Sequence, residues 1–532
     1  MSTYDKASLV LIPSGSKTSK IYSQKPTNGD GDFSFTRSTS ATRVNQSGLI
    51  EKETQNLLLQ SNNFNESIWS KLDGVSITGQ TATDPYGVLN NAWVINFNGN
   101  NSARLEQNIP SPSGLKVMSL WVRTQSGTQD FRLAFRGSYQ QTFTATTQWQ
   151  RFEHFDEYSV TQYPRINCSD LSTLEIYGFQ VEQGLVARDY IETTTSAVYG
   201  GITDNVPRID YTDATCPSLL LEPTRTNVVL ASEYPHSSGV SGIPFARGGA
   251  NLTYNYGISP EGLQNSTLVT GTNGNVGIQV SFYNSDVNVD WSYSFYIKGI
   301  AGETFHLRYE ITPYVLNSQE LITFTGDWQR IERTISYDGS VHTIKQWYIT
   351  FLQQSTATQF EIYGLQAESN ASFPTSYIPT YGTSVSRNIE LPNYLDITNL
   401  TGSTFTIFLD YKDAIRGGST GNWMYLFNTS NQLLTYVYSG TLMLHSTSGE
   451  NYTPFTFGDG KVAFVYDGTN VKYFLNGTLV KTVTASTRWN LGAENYWLYS
   501  PYNNSQSTIK YNSFIILSES ITDQEAINLT TT

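Results

Sequence analysis

The sequence predicts an all-β, multidomain chain in which two homologous jelly-roll β-sandwiches precede a third β-sandwich. Three observations predict it. Charged residues are only 14% of the 532, against roughly 25% in an average soluble protein, and Ser, Thr, Asn, Gln, Gly and Tyr replace them. Tyr alone occurs 35 times; aromatic and β-branched side chains fit a pleated, half-buried surface, while Gly, Asn and Ser supply tight turns. Second, short alternating strands separated by Gly, Asn and Asp turns recur along the chain, and no helical periodicity beyond about two turns interrupts them inside the repeated modules. Third, the chain repeats itself, and at this length it must build several cores.

In chain order, residues 1–55 form an N-terminal segment, 56–200 a first jelly-roll module, 201–226 a connector, 227–387 a second module and 388–532 a C-terminal domain. The opening "MSTYDKASLVLIPSGSK" has one Lys before a short apolar run that breaks at Pro13, which does not make a secretory signal. The expectation is a protein that stays in the cytosol of the cell that makes it. The rest of the segment is polar and rich in Gly, Ser and Thr, a composition suited to ordering on docking.

The two modules are identified by their matches. Asn56 opens "NLLLQSNNF" and Asn227 opens "NVVLASEYP", 171 residues later. "LWVRTQSGTQDFRLAF" from Leu120 matches "FYIKGIAGETFHLRYE" from Phe295 at an offset of 175, each two apolar-rich strands around a Gly-containing turn. Trp149 in "TQWQRFEHF" matches Trp328 at an offset of 179, and Tyr177 in "LEIYGFQVEQG" matches Tyr363 at 186. Both copies finish alike, "ARDYIETTTSAVYG" from Ala187 and "PTSYIPTYGTSVSR" from Pro374. Strand spacing and turn chemistry within each copy fit a sandwich or jelly roll.

The connector reads "NVPRIDYTDATCPSLLLEPTRTN". It alternates apolar and polar residues up to the Cys-Pro turn, then offers Leu219, Leu220 and Leu221 as a short extended segment ended by Pro223. Such a segment either adds a strand to a sheet edge or a neighbouring chain, or serves as an ordinary linker. Arg208 and Arg225 pair with carboxylates in the first case and are solvated in the second.

Beyond Arg387 come the strands "STFTIFLDYK", "WMYLFN", "LLTYVYSGTLMLHST" and "KVAFVYDGTNVKYFLNGTLVKTV". "TDQEAINL" is helical, with Thr522 as cap and Glu525 completing a capping box. The stretch "VAFVYDGTNVKYFLNGTLV", with turns at Asp467-Gly468-Thr469-Asn470 and Asn476-Gly477, and the closing "SFIILSESITDQE" resemble the concanavalin-like (laminin-G-like) lectin and glucanase fold over residues 388–532. That resemblance implies a fold more than an activity.

"GDFSFTRSTSATRVNQSGLIE" at 31–51 and "NVPRIDYTDATCPSLLLEPTRTNVVLASE" from 205 resemble phrases that stand nearly contiguous in structural proteins of tailed bacteriophages, ahead of a jelly-roll module ending in "SYIPT". Here "SYIPT" is at 376–380, and the first β-module separates the two phrases. The resemblance implies a virion fibre or appendage protein, with residues 1–55 anchoring it to capsid or other virion proteins and carbohydrate-binding jelly rolls facing outward. It implies a homotrimer, with a dimer as the alternative, assembled in the host cytoplasm. Without heptads or a fibrous repeat the chain suits a compact head fibre or capsid decoration, with a tail fibre as the alternative. The style of the sequence, rather than a motif, suggests a crAss-like gut phage.

The formal charge of −13, without a Lys/Arg cluster, argues against nucleic acid, which basic residues bind by displacing counterions. The apolar runs "SLVLIP" and "FIIL" fall short of the ~18–20 residues of a membrane helix, so no membrane insertion is expected. Cys168 and Cys216 are expected to be reduced, mostly buried thiols. His154, His236, His306, His342 and His445 show no metal-ligand spacing, and no GxSxG elbow or Walker loop is present. No cofactor, metal or catalytic residue is expected. A polysaccharide depolymerase needs paired carboxylates; Asp410, Asp413, Glu450, Asp459, Asp467 and Glu494 lack the Glu-x-Asp-x-x-Glu spacing of concanavalin-like glucanases. Sugar binding needs an exposed aromatic face beside amides, and Trp423, Tyr502, Asn503 and Asn504 supply that chemistry in two loops of the C-terminal domain.

Overall fold

A computed structural model describes residues 3–531 except 110–113, 137–138, 159–161, 213–215, 238, 272–273, 284–289, 313–315, 336–343, 352–353, 394–399, 417–423, 430–433, 439, 492–495 and 499–506. Nearly every element is a strand, and the chain is a multidomain all-β assembly.

Each repeated module is a sandwich of two five-stranded antiparallel sheets. In the first, one sheet runs Gln150–Tyr158, Gly114–Thr124, Leu171–Gln183, Ala92–Asn98, Val75–Ala82. The other runs Tyr139–Ala145, Gln129–Arg136, Arg165–Asn167, Arg104–Glu106, Ser70–Leu72. The second module repeats this, with Trp291–Lys298 and Gln359–Ser369 at the centre of one sheet and Ile344–Thr350 at the centre of the other. Alternation along each strand fills the space between sheets. Met118, Leu120 and Val122 enter the first core, as Tyr293, Phe295 and Ile297 enter the second.

The C-terminal sandwich has an eight-stranded sheet whose central strand, Thr508–Leu517, pairs with Phe405–Ile415. Phe405, Ile407, Leu409 and Tyr411 point into the main core; Phe408 points the other way, toward Ala526 on the helix Asp523–Thr530. That helix carries the expected capping box, with Thr522 accepting from Glu525 N and Glu525 accepting in return.

The first 55 residues are not a separate segment. Ala7–Leu11 pairs with Thr508–Leu517, and Leu9, Leu11, Ile21, Phe33 and Phe35 are completely buried in the C-terminal core. Apolar residues too sparse to make a core of their own complete a distant one. The connector behaves likewise. Ser218–Leu221 adds a strand to the eight-stranded sheet, Leu219 opposite Tyr511 and Leu221 opposite Ile509, and buries Leu219 and Leu221 in the same core. Of the two expected thiols Cys168 is buried, but Cys216 is exposed, because the Cys-Pro turn stands outside the sheet that Ser218 enters.

Arg208 is buried rather than solvated. Its Nη1 is 2.7 Å from Glu222 Oε2, its Nε donates to Glu390 Oε1 at 2.7 Å, and its Nη2 also pairs with Glu390. Arg37 from the N-terminal segment donates to Glu390 at 2.9 Å, and Arg387 to Glu222 at 2.8 Å. Ser376 N and Oγ donate to Glu222 at 2.8 and 2.6 Å. Burial opposes the charge on Glu222, but Arg387 and Arg208 outweigh it and hold the carboxyl far below its usual range. Arg225, also buried, lies with its guanidinium 5.4 Å from the Phe373 ring centroid. This ionic knot joins three stretches of chain distant in sequence.

Candidate functional site

The duplication places one aromatic face in each module, built from matched positions. In module 1, Trp121 stands on Gly114–Thr124, Tyr177 on Leu171–Gln183, Trp149 precedes Gln150–Tyr158 and Tyr190 follows the last long strand. The counterparts are Tyr296, Tyr363, Trp328 and Tyr377. The ladder shifts register opposite Trp121 and again opposite Tyr296. The residue after the shared tyrosine, Gly178 or Gly364, has φ of 62° or 65°, and a Cβ there would lie 3.2 Å from the Trp121 or Tyr296 ring. Both the left-handed backbone and the close ring favour glycine at the two bulges.

The scaffold behind the rings is duplicated atom for atom. Asn56 Nδ2 donates to Phe179 O and Ile191 O while its Oδ1 accepts from Leu58 N and Val181 N. Asn227 makes the same four bonds to Leu365, Ile378, Val229 and Ala367. Ser61 meets the Tyr190 hydroxyl at 2.7 Å, and Ser232 meets that of Tyr377 at 2.7 Å. These buried, satisfied polar groups fix ring positions in both copies.

What lies over the two faces differs. In module 1 the loop Asp84-Pro85-Tyr86-Gly87 brings Tyr86 to 5.9 Å from Trp121 and 6.0 Å from Tyr177, edge to face, and Tyr86 is 65% exposed. Asp84 holds the loop by accepting from Tyr86 N and Val88 N. The Arg151 guanidinium lies 4.5 Å over Trp121, and Arg123 lies 4.7 Å over Trp149. Trp121, Trp149 and Tyr190 remain partly exposed. Burial pushes the Tyr177 hydroxyl up to about 12, so it is a neutral donor at ordinary pH. Arg151 also borders a groove of about 440 Å³ with Arg188, Asp189 and Asn45. An aromatic platform rimmed by guanidiniums, carboxylate and amide is equipped to stack on an uncharged ring and bond its hydroxyls.

In module 2 the chain's own residues 49–52 cover Tyr363 and Tyr377, while Tyr296 and Trp328 stay partly exposed. Ile50 packs on Tyr363 and Tyr377, and its N–H donates to Pro260 O at 2.9 Å. Lys52 enters beside the rings, its Nζ 2.7 Å from both Glu233 and Glu261. The loop Ser259-Pro260-Glu261-Gly262 is the counterpart of the Tyr86 loop, so Glu261 replaces Tyr86, and Asn62 stands in module 1 where module 2 has Glu233. The open face lacks both carboxylates.

The sugar-binding residues expected from sequence, Trp423, Tyr502, Asn503 and Asn504, lie outside the described residues, as do His342 and Glu494. Asp410 accepts from Asn512, Asp413 pairs with Lys510 at 2.9 Å, Glu450 accepts from Tyr452 and Asp467 closes a hairpin turn. Asp459 accepts from Asp413 N. His306 is buried against Ser355, His154 meets Gln141, and His236 lies 3.2 Å from Glu157 of module 1. Among the described residues no three His, Cys, Asp or Glu side chains converge as metal ligands. Four of the five rings of the module 1 platform lie within the repeat matches, but their pattern does not distinguish a surface face from core. The shared Pro-x-Gly of the Tyr86 and Glu261 loops, at the same offset of 175, was the available signal.

No family model matches the chain, and no curated protein matches it. Solved structures give loose likenesses. The N-terminal tandem of two CBM22 domains of Paenibacillus barcinonensis Xyn10C is similar over 59% of this chain and 97% of that one, at 13% identity and a TM-score of 0.24. The M60 catalytic domain with CBM51-1 and CBM51-2 of Clostridium perfringens ZmpB is similar over 63% and 43%, at 7% identity and 0.17. An uncharacterized Listeria monocytogenes EGD-e protein is similar over 56% and 22%, at 10% identity and 0.17. Likenesses this loose decide no ligand.

Proposed function

We propose that this chain is a non-enzymatic structural protein of a bacteriophage virion that adheres to cell-surface or mucosal glycans through the open aromatic face of module 1. The observation that carries glycan binding is the pair of matched faces: residues 49–52 bury Tyr363 and Tyr377 in module 2 and leave Tyr296 and Trp328 partly exposed, whereas in module 1 Trp121, Trp149 and Tyr190 are all partly exposed and Tyr86 is added to them. The exposed Tyr86 beside the partly exposed Trp121 presents ring surface on which a sugar can stack. Exchange of both module 2 carboxylates for Asn62 and Tyr86 favours an uncharged ligand such as a pyranose over a cation.

The virion assignment rests on the resemblance of residues 31–51, 205–233 and 376–380 to tailed-phage phrases. A head fibre is the favoured placement, with a tail fibre or receptor-binding protein as the alternative, and a homotrimer the favoured state. The test has two arms. The purified chain on a glycan array should retain a set of neutral glycans, and Trp121→Ala and Tyr86→Ala should each weaken retention at least about tenfold, the loss of roughly 1.4 kcal/mol of stacking. Gradient-purified phage particles should contain the chain in stoichiometric amount. An array with no retained glycan removes the adhesion reading, and particles free of the chain remove the virion reading.

A further inference from the structure

We propose that the buried part of the module 2 face, around Tyr363 and Tyr377, is a binding site for a primary alkylammonium, with the Lys52 side chain as its tethered occupant. The site has the chemistry of a receptor rather than of a chance ion pair. Lys52 Nζ lies 2.7 Å from Glu233 Oε1 and from Glu261 Oε2, and 3.1 Å from the hydroxyls of Tyr363 and Tyr381. The rings of Tyr363 and Tyr381 both stand 5.7 Å from it, within cation–π reach. The tyrosines are themselves held by the acids: Tyr377 donates to Glu233 at 2.9 Å and Tyr363 to Glu261 at 2.9 Å. Lys52, Glu233 and Glu261 side chains are 5% exposed or less.

Three further observations point to a ligand site. Glu233 Oε2 is buried without a hydrogen-bond partner, so the cage retains an acceptor beyond those that Lys52 uses. A cavity of about 90 Å³ adjoins it, lined by Lys52, Tyr381, Gln55 and Gln183. The same face is open in module 1, where Asn62 and Tyr86 replace the acids, so the carboxylates are not needed to build the fold of the face; they match its occupant. Glu261 also receives Arg188 of module 1, so an occupied cage ties the N-terminal segment and both modules together.

The test uses the full chain. Lys52→Ala removes the fragment equivalent to n-propylammonium and should lower the melting temperature by several degrees. Added n-propylammonium should restore it saturably, with a dissociation constant in roughly the millimolar range for so small a ligand. It should leave wild type unmoved, because a tethered side chain competes at an effective concentration of about millimolar or higher. The neutral 1-propanol and the bulkier tetramethylammonium should not restore it. Lys52→Met, which occupies the cage with an uncharged stem, and Lys52→Ala/Glu261→Gln should not respond to the amine. If Lys52→Ala does not fold, refolding from urea with and without n-propylammonium is read instead, and recovery only with the amine supports the site. No restoration and no refolding, or equal restoration by 1-propanol, overturns it.

Discussion

Five charged side chains stand where an unpaired charge would be most expensive. Arg37, Arg208, Arg387, Glu222 and Glu390 are nearly or fully buried and pair with one another. Removing one partner strands the others in a medium that cannot solvate them, so Glu390→Ala should destabilise by about 3–5 kcal/mol, read as a lowered urea midpoint. Burial pushes the Arg37 guanidinium down to about 10, the direction expected where three arginines share two acids. Acid should act through the same groups. Burial would raise Glu261, but Lys52 and Arg188 outweigh it and hold it at about 2, and Glu222 is likewise depressed. Such carboxylates bind fewer protons folded than unfolded, so their stabilisation is full above pH about 4.5 and drains as pH falls toward about 2. Glu53 runs the other way: burial, then Asp204, raises it to about 6, so its contribution falls as pH rises from about 4.5 through 6. Urea midpoints against pH should therefore fall steeply below pH about 4.5, and Glu53→Gln should flatten the decline on the neutral side.

Among the elements, the connector strand Ser218–Leu221 shows how a linker becomes part of a core. Leu219 and Leu221 are fully buried among C-terminal strands nearly 300 residues away in sequence. Leu219→Ala should cost about 2–5 kcal/mol, measured on the C-terminal unfolding transition. The three leucines before Pro223 were readable as an extended segment, because a short apolar run ended by proline has few other uses. Its partner was not readable, since main-chain pairing leaves no side-chain signature. The Asp523–Thr530 helix was readable to its cap, because a capping box is written in adjacent residues. The aromatic face was half readable. Trp121, Trp149, Tyr177 and Tyr190 sit in the repeat matches, but a strand aromatic is as often core as surface, and only the covering residues distinguish the copies. Those come from residues 49–52, which no alignment of the modules includes.

For the whole molecule, the phrases at 31–51, 205–233 and 376–380 meet in space. Arg37, Arg208, Glu222 and Ser376 share the ionic knot; Ile50, Lys52, Glu233 and Tyr377 share the module 2 cage. An N-terminal strand closing on Thr508–Leu517 makes the ends of the chain interdependent. Deleting residues 1–36 should leave Phe405, Ile407 and their neighbours uncovered, and limited proteolysis should then degrade the C-terminal sandwich while both jelly-roll modules persist. Survival of that sandwich would show that the N-terminal strand is dispensable. The modules were legible as a duplication and the third domain as a β-sandwich. That the N-terminal segment belongs to the third domain was not, because such long-range pairing is decided by packing rather than by local pattern.

On the proposed reading the duplicated faces have diverged, one into an external glycan site and the other into an internal lock around Lys52. Calorimetric titration of the glycan best retained on an array, against wild type, Trp121→Ala and the matched Tyr296→Ala, tests it most directly. Trp121→Ala should weaken binding at least about tenfold, while Tyr296→Ala should lower stability and leave affinity unchanged. Equal affinity in wild type and Trp121→Ala, or loss confined to Tyr296→Ala, would contradict it.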